Sequence, residues 1–198
     1  MNISDLLKDP SKLEKKFEKA LKENNKEIAH LLVPFIKEPY LIYRYARDIV
    51  RGKVNDELEE VIAQNPKYSY YYAKDILKNS FPKSEDVIAQ DPDFSYWYAK
   101  EVIKGPFPRG EETITKESYS SYHYTKDVIK GPWEKGEDAI AQVPQYSYLY
   151  AKNILKDRFK KGEKVIIQNE KSLNQYIDFL KSIGKLDEFY EDYPELRK

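Results

Sequence analysis

The stretch KSEDVIAQDPDFSYWYA (residues 83–99) returns at residues 135–151 as KGEDAIAQVPQYSYLYA, and residues 59–73 read EEVIAQNPKYSYYYA. Ala73, Ala99, Thr125 and Ala151 stand 26 residues apart, and Ala46 precedes Ala73 by 27. The same step links Val61, Val87, Thr113, Ala139 and Val165, and again Phe81, Phe107, Trp133 and Phe159. Several columns holding one period through the middle of the chain mark a repeat array. Units this short must bury their apolar faces on their neighbours.

Each unit reads as two helices. The second is clearest from Asp91, a good N-cap, through Pro92 at the first helical position to Lys104. Gly105 is expected in the left-handed position after the helix, with Pro106 preventing its continuation. Ser95, Tyr98, Ala99, Val102 and Ile103 follow an i, i+3, i+4, i+7, i+8 pattern, one apolar stripe, with close helix approach at Ala99. The first helix is short, centred on pairs such as Val61/Ile62 and Val87/Ile88. Acids at its start (Glu59/Glu60, Glu85/Asp86, Glu111/Glu112, Glu137/Asp138) suit the helix dipole. The loop aromatics Phe81, Phe107, Trp133 and Phe159 read as plugs that fold under the next helix.

The pattern predicts an all-α fold, a right-handed α-solenoid of about five short helix pairs with helical end caps. The expected division is an N-terminal cap over residues 1–38, the array over 39–168 and a C-terminal cap over 169–198, all in one domain. In the caps, Leu13, Phe17, Ala20 and Leu21 share a helix face, and Tyr176 keeps the register of Tyr150 before Gly184 ends that helix. The last residues, through Lys198, read as a polar, frayed end.

Composition narrows the function classes. The chain holds 34 basic and 34 acidic side chains, which argues against a generic polyanion binder. It has no cysteine, so disulfides, thiolate metal sites and cysteine nucleophiles are out. No apolar run reaches the roughly 18 residues of a membrane span, and the first 20 residues lack the apolar stretch of a secretory signal. The expected location is the cytoplasm.

The motif IAQDPDFSYWYAKEVIKGPFPRGE (residues 88–111) resembles short α-helical repeats of tailed-bacteriophage and giant-virus proteins. Those carry a phrase close to E-x-x-I-A-x-D-P-x-Y-S-Y-x-Y-A-K-x-V-I-K-G-x-F-P-x-G-E. The resemblance covers residues 38–168 and departs in the fourth unit, with Thr125 for alanine and Ser118 for proline. It implies a HEAT-like or tetratricopeptide-like solenoid of viral origin, and it carries over no catalytic residues.

Three columns are candidates for function. Arg44, Tyr71, Trp97, His123 and Leu149 vary along one row opposite the apolar stripe, a contact strip for a protein partner with Trp97 and Tyr71 as its best anchors. The same row also fits packing between neighbouring second helices. Lys74, Lys100, Lys126 and Lys152 form a basic ladder, with Tyr70, Tyr96, Tyr122 and Tyr148 one turn before it. Basic groups interleaved with aromatics suit single-stranded nucleic acid. Against that stand the acids Asp48, Asp75, Glu101 and Asp127 one residue on, which suit salt bridging between repeats. A further basic column holds Arg51, Lys78, Lys104, Lys130 and Lys156, and a loop column holds Lys83, Arg109, Lys135 and Lys161.

Catalytic and metal motifs are absent: His30 and His123 have no ligand-type spacing, and the segments from Gly105 and Gly131 lack the Lys-Ser/Thr pair of a phosphate loop. The expectation is a non-enzymatic scaffold without cofactor that binds another protein, for a virus a host defence protein. The alternatives are nucleic-acid binding along the lysine and tyrosine ladders, or end-to-end self-association of a structural protein.

Overall fold

The computed structural model describes residues 3–197. It is all-α, with consecutive helices packed in pairs as in an α-solenoid, and it divides into two compact units, Met1–Ile103 and Lys104–Lys198.

In the first unit, a single turn (Ile3–Leu6) precedes α1 (Pro10–Lys22) and α2 (Lys26–Leu32). Then come α3 (Pro39–Tyr45), α4 (Asp56–Ile62), α5 (Pro66–Tyr71), α6 (Glu85–Ile88) and α7 (Pro92–Trp97). The second unit runs through α8 (Pro108–Ile114), α9 (Ser118–Tyr124), α10 (Glu134–Ile140) and α11 (Pro144–Tyr150). It closes with α12 (Lys160–Ile167), α13 (Glu170–Ser182) and α14 (Leu186–Asp192). The cap face Leu13, Phe17, Ala20 and Leu21 is buried as its spacing predicts.

Helix starts follow the expected chemistry. The Asp91 carboxylate accepts from the Phe94 N–H at 3.0 Å, and Asn65 and Glu117 do the same work for α5 and α9. The ends differ from expectation. Each second helix widens into a π turn: Ala46–Val50, Tyr72–Leu77, Tyr98–Ile103, Thr125–Ile129 and Ala151–Leu155. The closing bond spans five residues, as from the Lys130 N–H to the Thr125 carbonyl at 2.8 Å. The left-handed residue is then the cation one position earlier, Lys104 rather than Gly105: Arg51, Lys78, Lys104, Lys130 and Lys156 have φ of 56, 51, 59, 60 and 54°. The wider turn also rotates the end of the stripe. Ser95, Tyr98 and Ala99 are wholly buried, but Val102 is half-buried and Ile103 is 37% exposed.

The core is a recurring knot around one tyrosine per repeat. The Tyr98 hydroxyl accepts from the Phe81 N–H at 2.7 Å and donates to Glu85 at 3.2 Å. Tyr72 does this with Val54 and Glu59, Tyr124 with Phe107 and Glu111, Tyr150 with Trp133 and Glu137, and Tyr176 with Phe159 and Glu163. The loop aromatics are therefore plugs, as read, and each loop N–H is satisfied by a phenol. Their rings also pack on the tyrosine of their own repeat, with centroids 5.2 Å apart for Tyr72–Phe81 and 4.8 Å for Tyr150–Phe159. The first acid of each helix-start pair is the acceptor of this knot, a role more specific than complementing the dipole.

Close approach of the two helices in a pair is set by small side chains. The hydroxyls of Ser69, Ser95, Ser121 and Ser147 each donate to a carbonyl at the end of the preceding helix, from Ile62, Ile88, Ile114 and Ile140. Each carbonyl also accepts a backbone N–H three residues on, as from Asp91 to Ile88 at 3.1 Å, so the serine fills its second acceptor position. A Cβ at Gly162 would lie 2.5 Å from that of Ser147, so only glycine fits there.

Candidate functional site

Neighbouring second helices leave grooves along their N-terminal halves. In the first unit a groove of about 680 Å³ lies between α5 and α7. Tyr71 and Lys67 stand on one wall, Trp97 and Phe94 on the other. Tyr71 and Trp97 are half-buried, each packed at a tilt on the tyrosine before it, with centroids 5.1 Å apart for Tyr70–Tyr71 and 4.7 Å for Tyr96–Trp97. Both rings are thus held by a neighbour and stay part-exposed to the groove. Asp91, Asp93 and Glu101 also line this groove.

The floor is a charged network. The Tyr70 hydroxyl donates to Glu101 at 2.8 Å, and Lys74 Nζ reaches that hydroxyl at 3.2 Å and the carboxylate at 2.5 Å. Burial, and then the bond to Glu101, push the Tyr70 phenol up to about 12. Burial pushes the Glu101 carboxyl up, but the bonds from Lys74 and Tyr70 outweigh it and leave it below the usual carboxylate range. The Glu101 bond holds the Lys74 ammonium above the usual lysine value. Lys100 lies over Trp97 at 5.1 Å and donates to the Tyr96 hydroxyl at 2.9 Å.

The same register opens a second groove of about 370 Å³ in the other unit, between α11 and α13, where Leu149 and Tyr148 face Lys171 and Gln175. His123 sits instead in a tyrosine cluster, with centroids 4.4 Å from Tyr119, 5.1 Å from Tyr122 and 6.3 Å from Tyr146. Arg44 is committed to Asp48 at 3.1 Å. Of the expected strip, therefore, Tyr71 and Trp97 share one groove, Leu149 lines another, and His123 and Arg44 are held by neighbours.

The ladder tyrosines are buried: Tyr70 at 4% exposure, Tyr96 at 1%, Tyr122 at 2% and Tyr148 at 6%. Their hydroxyls meet partners rather than solvent, as where Lys152 donates to Tyr148 and Asn153 to Tyr122. The loop cations pair back onto the preceding repeat: Lys83 with Glu60 at 3.0 Å, Lys135 with Glu111 at 2.8 Å and Lys161 with Asp138 at 2.9 Å. Phe94, which builds one wall of the first groove, lies outside the expected strip. Its signal was its place one turn before Trp97.

Among the described residues no group of three or more His, Asp or Glu is placed to hold a metal ion, and no helix is long and apolar enough to cross a membrane. The chain matches no family model, no curated protein and no solved structure.

Proposed function

We propose that this chain is a non-enzymatic scaffold that binds a polypeptide segment of another protein in the groove between α5 and α7. The observation that supports this is the pair of half-buried rings, Tyr71 and Trp97, lining one groove and each held by a neighbour. Large aromatic side chains held in this way desolvate well and lose little rotamer freedom on binding, so they act as anchors. The charges select the class of partner. Two lysines and three acids line the groove, which suits a chain of mixed charge and repels a uniform polyanion. A nucleic acid would also need the faces of Tyr70 and Tyr96, and those rings are buried. The repeat motif's resemblance to viral proteins extends the proposal to a host protein in the cytoplasm, a defence component, as the partner.

The test is affinity capture from nuclease-treated lysate, comparing wild type with Trp97→Ala/Tyr71→Ala and with Lys161→Ala on another surface. The expected result is a protein held by wild type and by Lys161→Ala and lost from the aromatic variant, whose circular dichroism matches wild type. Capture that persists in the aromatic variant, or that vanishes with nuclease, overturns the proposal.

A further inference from the structure

The basic ladder that follows the buried tyrosines is engaged at every position but one. Arg47 pairs with Asp48 at 2.7 Å and Lys74 with Glu101 at 2.5 Å, while Lys100 and Lys152 donate to Tyr96 and Tyr148 at 2.9 and 3.1 Å. Lys126 has no hydrogen-bond or ion-pair partner among the described residues. The sequence shows the reason. The residue 27 positions after Lys74 is Glu101, its partner, whereas the residue 27 after Lys126 is Asn153. Asn153 breaks the acidic column of Asp48, Asp75, Glu101 and Asp127, and it gives its amide N–H to the Tyr122 hydroxyl at 2.9 Å.

The unpaired ammonium faces a concavity of about 420 Å³ lined by Lys126, Lys130, Gly131, Asn153, Ile154 and Lys156. No carboxylate lines it. Lys130 and Lys156 occupy left-handed positions at the ends of their helices, which fixes where their side chains leave the backbone. They offset the partial negative charge of those helix ends, so the charge of Lys126 is surplus. The one acid adjoining Lys156, Asp157, has a carboxylate oxygen occupied by the Arg158 N–H at 2.7 Å. A backbone donor is free as well. The N–H groups of Gly52 and Asn79 close onto the Ala46 and Ala73 carbonyls at 3.2 Å, but Gly131 at the equivalent point makes no such bond. A Cβ on Gly131 would meet nothing within 4 Å, so the space beside its backbone is open.

We propose that this concavity binds the phosphate or diphosphate group of a small soluble ligand. Three ammonium groups, a free N–H and a carboxamide present donors to a compact multivalent oxyanion. Lysine serves such an anion as a mobile point charge, with charge-assisted hydrogen bonds. The site lies wholly within the second unit and is independent of the aromatic groove.

The test is titration of the intact chain with sodium pyrophosphate at low ionic strength. Calorimetry reads the affinity, and the Gly131 amide resonance reads the location. Saturable binding at one site is expected, with the Gly131 resonance shifting, and affinity falling as salt is added. Asn153→Asp restores the carboxylate that the repeat pattern places there. It should weaken pyrophosphate at least tenfold while leaving the thermal midpoint unchanged. Lys126→Gln should weaken it similarly, and provides the answer if Asn153→Asp disturbs folding. Absence of saturable binding to wild type, a Gly131 resonance that does not move, or wild-type affinity retained in both variants overturns the proposal.

Discussion

Replacing Arg158 with leucine should destabilise the second unit more than any surface change. The Arg158 side chain is 5% exposed and holds Glu163, itself 2% exposed, through two parallel bonds of 2.8 Å. It reaches Asp192 at 2.6 Å and lies over the wholly buried Phe189 ring at 5.7 Å. With arginine gone, Glu163 keeps the Tyr176 hydroxyl at 2.9 Å as its hydrogen-bond donor and no ion-pair partner. Removing one member of a buried pair costs about 3–5 kcal/mol, because the remaining charge stays buried without compensation. At about 2–4 °C per kcal/mol for a chain of this length, the thermal midpoint should fall by roughly 6–20 °C. Calorimetry of wild type, Arg158→Leu, Glu163→Gln and the double variant closes the cycle. The double variant should regain more than half of the loss, since a neutral amide still accepts from Tyr176 and no charge is buried. A loss under about 1 kcal/mol for Arg158→Leu, or a double variant no better than the single one, would refute the reasoning.

Two further outcomes follow from the packing. Burial raises the phenol pKa of Tyr70 and Tyr150 to about 12, and raises those of Tyr72, Tyr98, Tyr124 and Tyr176 as well. The unfolded chain, with phenols near 10, releases these protons first, so the stabilisation is complete below pH 10 and is lost as pH rises through the folded values. Urea midpoints should therefore drop between pH 10 and 12 as tyrosinate absorbance appears, and a flat midpoint across that range would contradict the knot. Gly162→Ala forces a Cβ to within 2.5 Å of Ser147 and 2.7 Å of the Phe159 ring, and should cost about 1–3 kcal/mol in urea unfolding. Gly52→Ala, with nothing within 4 Å, should be neutral and serves as the control.

The helix pairs were legible because their signals are local and repeated. Asp91-Pro92 starts a helix by its own chemistry, and the burial of Phe81, Phe107, Trp133 and Phe159 follows from a period that no surface residue needs to keep. The tyrosine knot was not legible, because it joins a loop N–H, a phenol 17 residues later and an acid between them, a contact that only folding creates. Arg158 was hidden for the opposite reason. Its column holds Ser80, Pro106 and Pro132 in the other repeats, so nothing in the period marks it. The groove was half legible: Tyr71 and Trp97 stood out by varying, but the walls that Phe94 and Lys67 supply depend on how α5 and α7 pack.

The cations at the helix ends show where period and geometry part. A glycine after a helix suggests a left-handed turn at that glycine, and with α-helical winding to the end Gly105 would take it. The π turn moves the turn to the residue before, and five non-glycine residues carry a conformation that costs about 1–2 kcal/mol each. A positive side chain at a helix C-terminus returns about 0.3–1 kcal/mol, which favours Arg51, Lys78, Lys104, Lys130 and Lys156 over other non-glycine residues there. This column is therefore a helix-ending device first, and its regular spacing alone does not mark a binding surface. Beside Lys126, where Asn153 has removed the carboxylate that Lys74 finds in Glu101, two of these cations join it around a concavity that no carboxylate of the described residues lines.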